Sequence, residues 1–172
     1  MSLLKWTRTL GVATLLSLTA GGCGFHPLYG DTASGQNLNE VMKSVEIPAF
    51  GGRVAQRIRN ELLYIQTGGA GDGAKKQYRL DIAMREELRN TLVDISGAPG
   101  GQIVELDTEF RLVRLADNKV VFNGKATGRA AFDRNASVYA NMQAQQDAEN
   151  RAAQTIAETI RVRLAAHLSG SA

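Results

Sequence analysis

Cysteine is nearly missing: Cys23 is the single one in 172 residues. No intrachain disulfide can form, so an exported domain of this sequence must rely on its core. Histidine is scarce too, with His26 near the start and His167 near the end. That leaves no Ser-His-Asp or Cys-His set for nucleophilic catalysis and no metal-ligand spacing. Long apolar runs are absent. The best, Leu10 to Leu18, is about nine residues, too short to span a bilayer as a helix. Excess charge is missing as well. The formal charge is +3, from 20 basic and 17 acidic residues. Without Lys5 and Arg8 it is 18 − 17 = +1, which argues against a nucleic-acid binder. The glycine run Gly68 to Gly73 (G-G-A-G-D-G) has no Lys-Ser or Lys-Thr to close a phosphate cradle and reads as a loop.

The N-terminus has the anatomy of a secretory signal: basic Lys5 and Arg8, the apolar stretch, then the small residues Ala20, Gly21 and Gly22. The run Ala20-Gly21-Gly22-Cys23 resembles a bacterial lipobox, with Ala20 where leucine is usual. This assigns residues 1–22 to a cleaved signal and makes Cys23 the lipid-attachment site. There a thioether-linked diacylglycerol and an N-acyl chain would anchor the protein. Each buried methylene contributes about 0.8 kcal/mol, so several chains hold durably where one does not. No other cofactor is expected.

Residues 23–43 read as a lipidated tether and entry segment. Phe25 to Tyr29 is an apolar cluster, and Asp31 to Asn39 is polar and expected to be mobile. Residues 44–168 read as one α+β domain, and 169–172 as a frayed end. Ser44-Val45-Glu46-Ile47-Pro48 alternates like a strand that Pro48 closes. Val54, Ile58, Leu62 and Ile65 mark one face of a helix. Three strands follow, with apolar rows on Tyr78 to Met84, Val104 to Leu112 and Val120 to Phe132. Arg85 to Ser96 is a possible continuation of the first. Ala98 to Gly101 reads as a loop tip and Ala116 to Lys119 as a tight hairpin turn. A long helix from about Tyr139 to Leu168 carries an apolar stripe of Ala148, Ala152, Ile156, Ile160, Leu164 and Leu168. Its small residues would allow close approach to the sheet or a partner. The expected architecture, in the order β-α-β-β-β-α, is a two-layer sandwich. Two amphipathic helices pack on one face of a roughly four-stranded mixed sheet.

Beyond the lipobox, the run Cys23-Gly24-Phe25-His26-Pro27-Leu28-Tyr29, the strand-helix opening at Val45 to Gln66, Arg129-Ala130-Ala131-Phe132-Asp133, Tyr139-Ala140 and Asp147 to Ala152 resemble the LPS-assembly lipoprotein LptE family, alphaproteobacterial type. The resemblance implies an outer-membrane lipoprotein facing the periplasm. Its partners would be an LptD-like β-barrel, which it plugs and helps assemble, and lipopolysaccharide. Two helices on a four-stranded sheet is also the fold it implies. Gly24, rather than aspartate, after Cys23 fits outer-membrane sorting.

A lipopolysaccharide phosphate would call for Arg or Lys at a strand end or sheet edge. Arg85, Arg89, Arg111, Arg114, Lys119, Lys125, Arg129 and Arg134 are available, and Arg89, Lys125 and Arg129 are the preferred lipopolysaccharide-binding candidates. For any one of them the plainer reading is a solvated charge on the wet sheet face. Two other classes compete: an auxiliary lipoprotein of a lipid ABC transporter, and a hydrolase using Glu86-Glu87 or Asp107 with Glu109. The expectation is a non-enzyme.

Overall fold

Period-two alternation sustained over some fifteen positions builds three strands of unusual length. The computed structural model describes residues 38–68, 74–93 and 99–170. Its elements run α1 (Leu38–Lys43), β1 (Val45–Glu46), α2 (Arg53–Thr67), β2 (Tyr78–Val93), β3 (Pro99–Arg114), β4 (Lys119–Asp133) and α3 (Val138–Gly170). The sheet order is β1-β2-β3-β4. β1 pairs in parallel with β2, with Val45 opposite Tyr78. The other two pairings are antiparallel. The expected α+β architecture with a mixed four-stranded sheet is what the chain adopts.

One sheet face is apolar. Val104, Leu106, Thr108, Phe110 and Leu112 of β3 and Ala126, Ala130 and Phe132 of β4 are all buried. Against them lies α3, through Ala148, Ala152, Ala153, Ile156, Ala157, Ile160, Leu164 and Leu168. α2 adds Val54, Ala55, Ile58 and Leu62 and packs chiefly along α3. The sheet meets small side chains with small side chains. A Cβ built on Gly128 would stand 2.3 Å from the Ala152 carbonyl oxygen. Gly128 is therefore what lets α3 lie directly on the strand.

Local signals explain the ends. α2 stops at Gly68, whose φ of 59° suits glycine and whose N–H donates to the Tyr64 carbonyl at 2.8 Å. The β3–β4 turn puts Asn118 at φ 53°, with the Asp117 carboxylate accepting from the Lys119 N–H. α3 is capped by Ser137, whose hydroxyl accepts from the Ala140 N–H at 3.3 Å. Asn135 steadies that cap by accepting from the Ser137 N–H at 2.9 Å.

Five expectations need correction. Residues 38–43 are not tether: they form α1, with Leu38 and Met42 buried. Two apolar residues four apart make too short a pattern to read as a helix. Ile65 is only half-buried, and Gln66 takes the core position. Its amide donates to the Met42 carbonyl at 2.9 Å, so burial leaves it satisfied. Pro99 to Gly101 belong to β3, with Gly101 opposite both Leu92 and Asp133. Glycines carry no alternation, which hid the strand, and the tip at 94–98 lies outside the described residues. Val120 leaves the apolar row because the β3–β4 register shifts between Leu112 and Val113, and it is exposed. Ser169 and Gly170 are helical, not frayed. The signal, Cys23 and the Phe25–Tyr29 cluster lie outside the described residues.

Candidate functional site

Register decides which charges meet. In an antiparallel pair, residues directly opposite share a face. Glu105 of β3 lies opposite Arg129 of β4 and Glu87 of β2. Asp107 lies opposite Thr127 and Arg85, and Glu109 opposite Lys125 and Ala83. All of them point away from the helices. This open face carries Arg79, Arg85, Arg89, Arg111, Lys125 and Arg129 against Asp81, Glu87, Glu105, Asp107, Glu109 and Asp133 on the three long strands. The two signs balance.

Two of the preferred candidates converge on one carboxylate. Arg89 Nε reaches Glu105 Oε2 at 3.1 Å, and Arg129 Nε donates to Glu105 Oε1 at 2.8 Å. The Arg129 terminal nitrogen also reaches Oε1. Arg89 Nη2 donates to Glu87 Oε2 at 3.1 Å. Hydrogen bonding to Glu87, then the charge of Glu105, pushes the Arg89 guanidinium further up. Glu105 is 5% exposed although its two arginines are well exposed. Its burial is tolerable because both oxygens accept charge-assisted hydrogen bonds. Sequence pattern placed Glu105 in the wet row and missed this hub. Only the cross-strand register brings the three side chains together.

Lys125 is held separately. Its Nζ lies 2.6 Å from Glu109 Oε1. The hydrogen bond and then the opposite charge lower the Glu109 carboxyl and raise the Lys125 amine. Between these sites lies a shallow groove of about 470 Å³, lined by Arg85, Asp107, Glu109, Lys125 and Thr127 among others. The Thr127 hydroxyl donates to Asp107 at 2.9 Å.

The remaining cations scatter. Arg114 pairs with Asp117 at 3.5 Å beside the β3–β4 turn, and Lys119 begins β4. Ten residues of strand separate Arg114 from Val104, on the order of 33 Å. Arg111 is exposed in mid-sheet and Arg134 exposed just past β4. Of the carboxylates considered for acid–base work, Glu86 lies opposite Leu106 on the helix side, while Glu87 and Asp107 share the open face. Asp107 and Glu109 are each engaged by a neighbour. Among the described residues, no group of His, Cys, Asp and Glu could hold a metal ion. Nor is any described helix long and apolar enough to cross a membrane.

Neither the known family models nor the curated proteins include a match to this chain. Solved structures match it. A predicted lipoprotein of Caulobacter crescentus superposes with a TM-score of 0.64 at 22% identity, covering 77% of this chain and 96% of that one. A minor lipoprotein of Acinetobacter baumannii gives 0.50 at 17%, covering 71% and 88%. Rare lipoprotein B of Shewanella oneidensis gives 0.53 at 11%, covering 71% and 92%. At these identities the likeness is one of fold: this chain has the fold of small bacterial lipoproteins.

Proposed function

We propose that this chain is a lipid-anchored outer-membrane lipoprotein whose folded body plugs an LptD-like β-barrel, helps it assemble and assists insertion of lipopolysaccharide. The observation that carries the reading is a conjunction. A lipobox-like Ala20-Gly21-Gly22-Cys23 stands ahead of a domain whose fold recurs in proteins named as lipoproteins from three bacteria. The open sheet face supports it physically. It is densely charged yet neutral overall, and its cations other than Arg111 lie within 4.0 Å of its own carboxylates. Such a face suits the polar, water-lined interior of a barrel. It can lie along a wall without bringing in an uncompensated charge.

In this reading the body acts by shape and polarity. Arg89, Lys125 and Arg129 would meet lipopolysaccharide phosphates only by exchanging Glu105 or Glu109 for the ligand. The test is capture of the tagged, lipidated protein from detergent-solubilised outer membranes, with mass spectrometry of what accompanies it. A large β-barrel protein in stoichiometric amount is expected, and depletion should leave lipopolysaccharide behind in the inner membrane or periplasm. Recovery with inner-membrane transporter subunits instead, or normal lipopolysaccharide export on depletion, would overturn the reading.

A further inference from the structure

β2 pairs with β1 only at Tyr78 and Arg79. From Leu80 to Val93 its outer edge has no strand beside it among the described residues. A long open edge is a template for another strand. We propose that the free protein pairs with a second copy of itself along this edge, antiparallel, about a two-fold axis at Glu86.

The pattern of charges selects both the partner and the register. Two-fold pairing of one strand with itself puts residue i opposite residue j with i + j constant, and both on the same face. Centred on Glu86, Arg85 of each copy falls opposite Glu87 of the other, and Met84 opposite Leu88. On the open face two opposite-charge pairs form; on the other, two apolar pairs cover Leu88, which is 44% exposed. Moving the centre to Arg85 sets Arg85 against itself and offers only Asp81 against Arg89, groups already held within one copy by Arg79 and Glu105. Moving it to Glu87 sets Arg85 against Arg89. Both place arginines directly opposite one another, which is unfavourable; a centre at Leu88 would rely on Glu87 against Arg89, a guanidinium that Glu87 and Glu105 already hold within one copy. Within one copy the Arg85 to Glu87 separation is 4.0 Å and Arg85 is 81% exposed, so Arg85 is available to a partner.

The other free edge does not offer this. The open-face row of β4 reads Asn123, Lys125, Thr127, Arg129. Centres at Lys125, Thr127 or Arg129 bring basic groups opposite one another, and centres at Ala126 or Gly128 set Lys125 and Arg129 opposite uncharged residues, with no carboxylate to meet them. β2 is thus the self-complementary edge. A ladder of about nine residues falls below the ~1,200 Å² of stable complexes, so a weak, concentration-dependent dimer follows. Glu86 meets its own copy at the axis, the one like-charge pair in the register. This inference concerns the free protein and holds or fails whether or not a barrel partner exists.

The experiment is sedimentation velocity on the chain from residue 23 with Cys23→Ser, at protein concentrations up to about 0.5 mM, where a weak strand-edge contact is populated. A monomer–dimer equilibrium is expected. Arg85→Glu should weaken it about tenfold, by turning two attractive pairs into repulsive ones. The swap Arg85→Glu with Glu87→Arg should restore it, and Glu86→Gln should tighten it. In the same background Glu86→Cys should oxidise to a covalent dimer faster than Thr91→Cys, which this register does not set opposite itself. A monomer throughout, an undiminished dimer in Arg85→Glu, no restoration by the swap, or equal oxidation of the two cysteine variants would each overturn the proposal. All are surface changes, and circular dichroism confirms that each variant is folded.

Discussion

Replacing Gly128 by alanine adds one methyl group where the sheet and α3 are in direct contact. The new Cβ would meet the Ala152 carbonyl oxygen at 2.3 Å and both the Ala152 carbonyl carbon and Ile156 Cγ1 at 3.0 Å. A comfortable carbon–oxygen contact is roughly 3.3 Å, about the well distance of non-bonded atoms. The backbones must therefore separate by about 1 Å. α3 cannot tilt alone to provide that. Ala148, Ala152, Ala153 and Ile156 have no exposed surface, and the Arg151 guanidinium donates to the Ala131 carbonyl at 2.9 Å. Overpacking of this kind costs typically 1–3 kcal/mol, and a rigid backbone obstacle puts it near the top, about 3 kcal/mol. Gly124→Ala is the control. Its Cβ would meet the Phe110 ring at 2.6 Å, and a ring can swing, so about 1 kcal/mol is expected. Urea denaturation followed by far-ultraviolet circular dichroism measures both through the midpoint, with the slope unchanged. Thermal melts should fall by roughly 10 °C and 3 °C. Ala152→Gly should not rescue Gly128→Ala, because the obstacle is the main-chain carbonyl. A Gly128→Ala protein as stable as its parent, or one rescued by Ala152→Gly, would refute the reasoning.

Further outcomes follow from other residues. Thr108 is 2% exposed and its hydroxyl has no hydrogen-bond partner. Thr108→Val should therefore stabilise by about 1 kcal/mol in the same urea assay, and a loss would show the hydroxyl to be satisfied. Glu105→Gln removes the charge that both arginines address and should cost about 2 kcal/mol. The double variant Arg89→Ala with Arg129→Ala should cost more, because it strands a buried carboxylate; the reverse order would refute the hub. The Glu109–Lys125 pair has a pH signature. Its contribution is complete above the ordinary glutamate value of 4.5 and fades as pH falls through the depressed Glu109 value. It is complete below the ordinary lysine value of 10.5 and fades as pH rises through the elevated Lys125 value. Both groups are exposed, so stability should barely change in Lys125→Ala. The nuclear magnetic resonance titration of Glu109 should nevertheless move up toward 4.5, and an unmoved midpoint would refute the pairing.

Much of the fold was legible. Val54, Ile58 and Leu62 announced α2, and the alternation from Val104 to Leu112 announced β3, because burial on one face leaves a period in the sequence. Cross-strand chemistry was not legible. Arg89, Glu105 and Arg129 are far apart in the chain and meet only through register, which a list of alternating residues does not contain. The same holds for Gly101, whose place in a strand is visible only from its partners on β2 and β4. Asn135 and Ser137 belong to no periodic row either, and the structure gives them the work of capping α3.

What the sequence determined by itself was the class and order of the long elements, since period and turn chemistry are local properties. It also determined that the first half of α3 would be narrow enough for close approach, because Ala148, Ala152 and Ala153 leave little side chain to hold a neighbour away. Only the tertiary structure decided that the neighbour is Gly128, and that Glu105, among the carboxylates of its row, is the one sealed beneath two arginines. Those are consequences of which strand lies beside which and in what register. The free energy that sets register is summed over the whole sheet and belongs to no single stretch of chain.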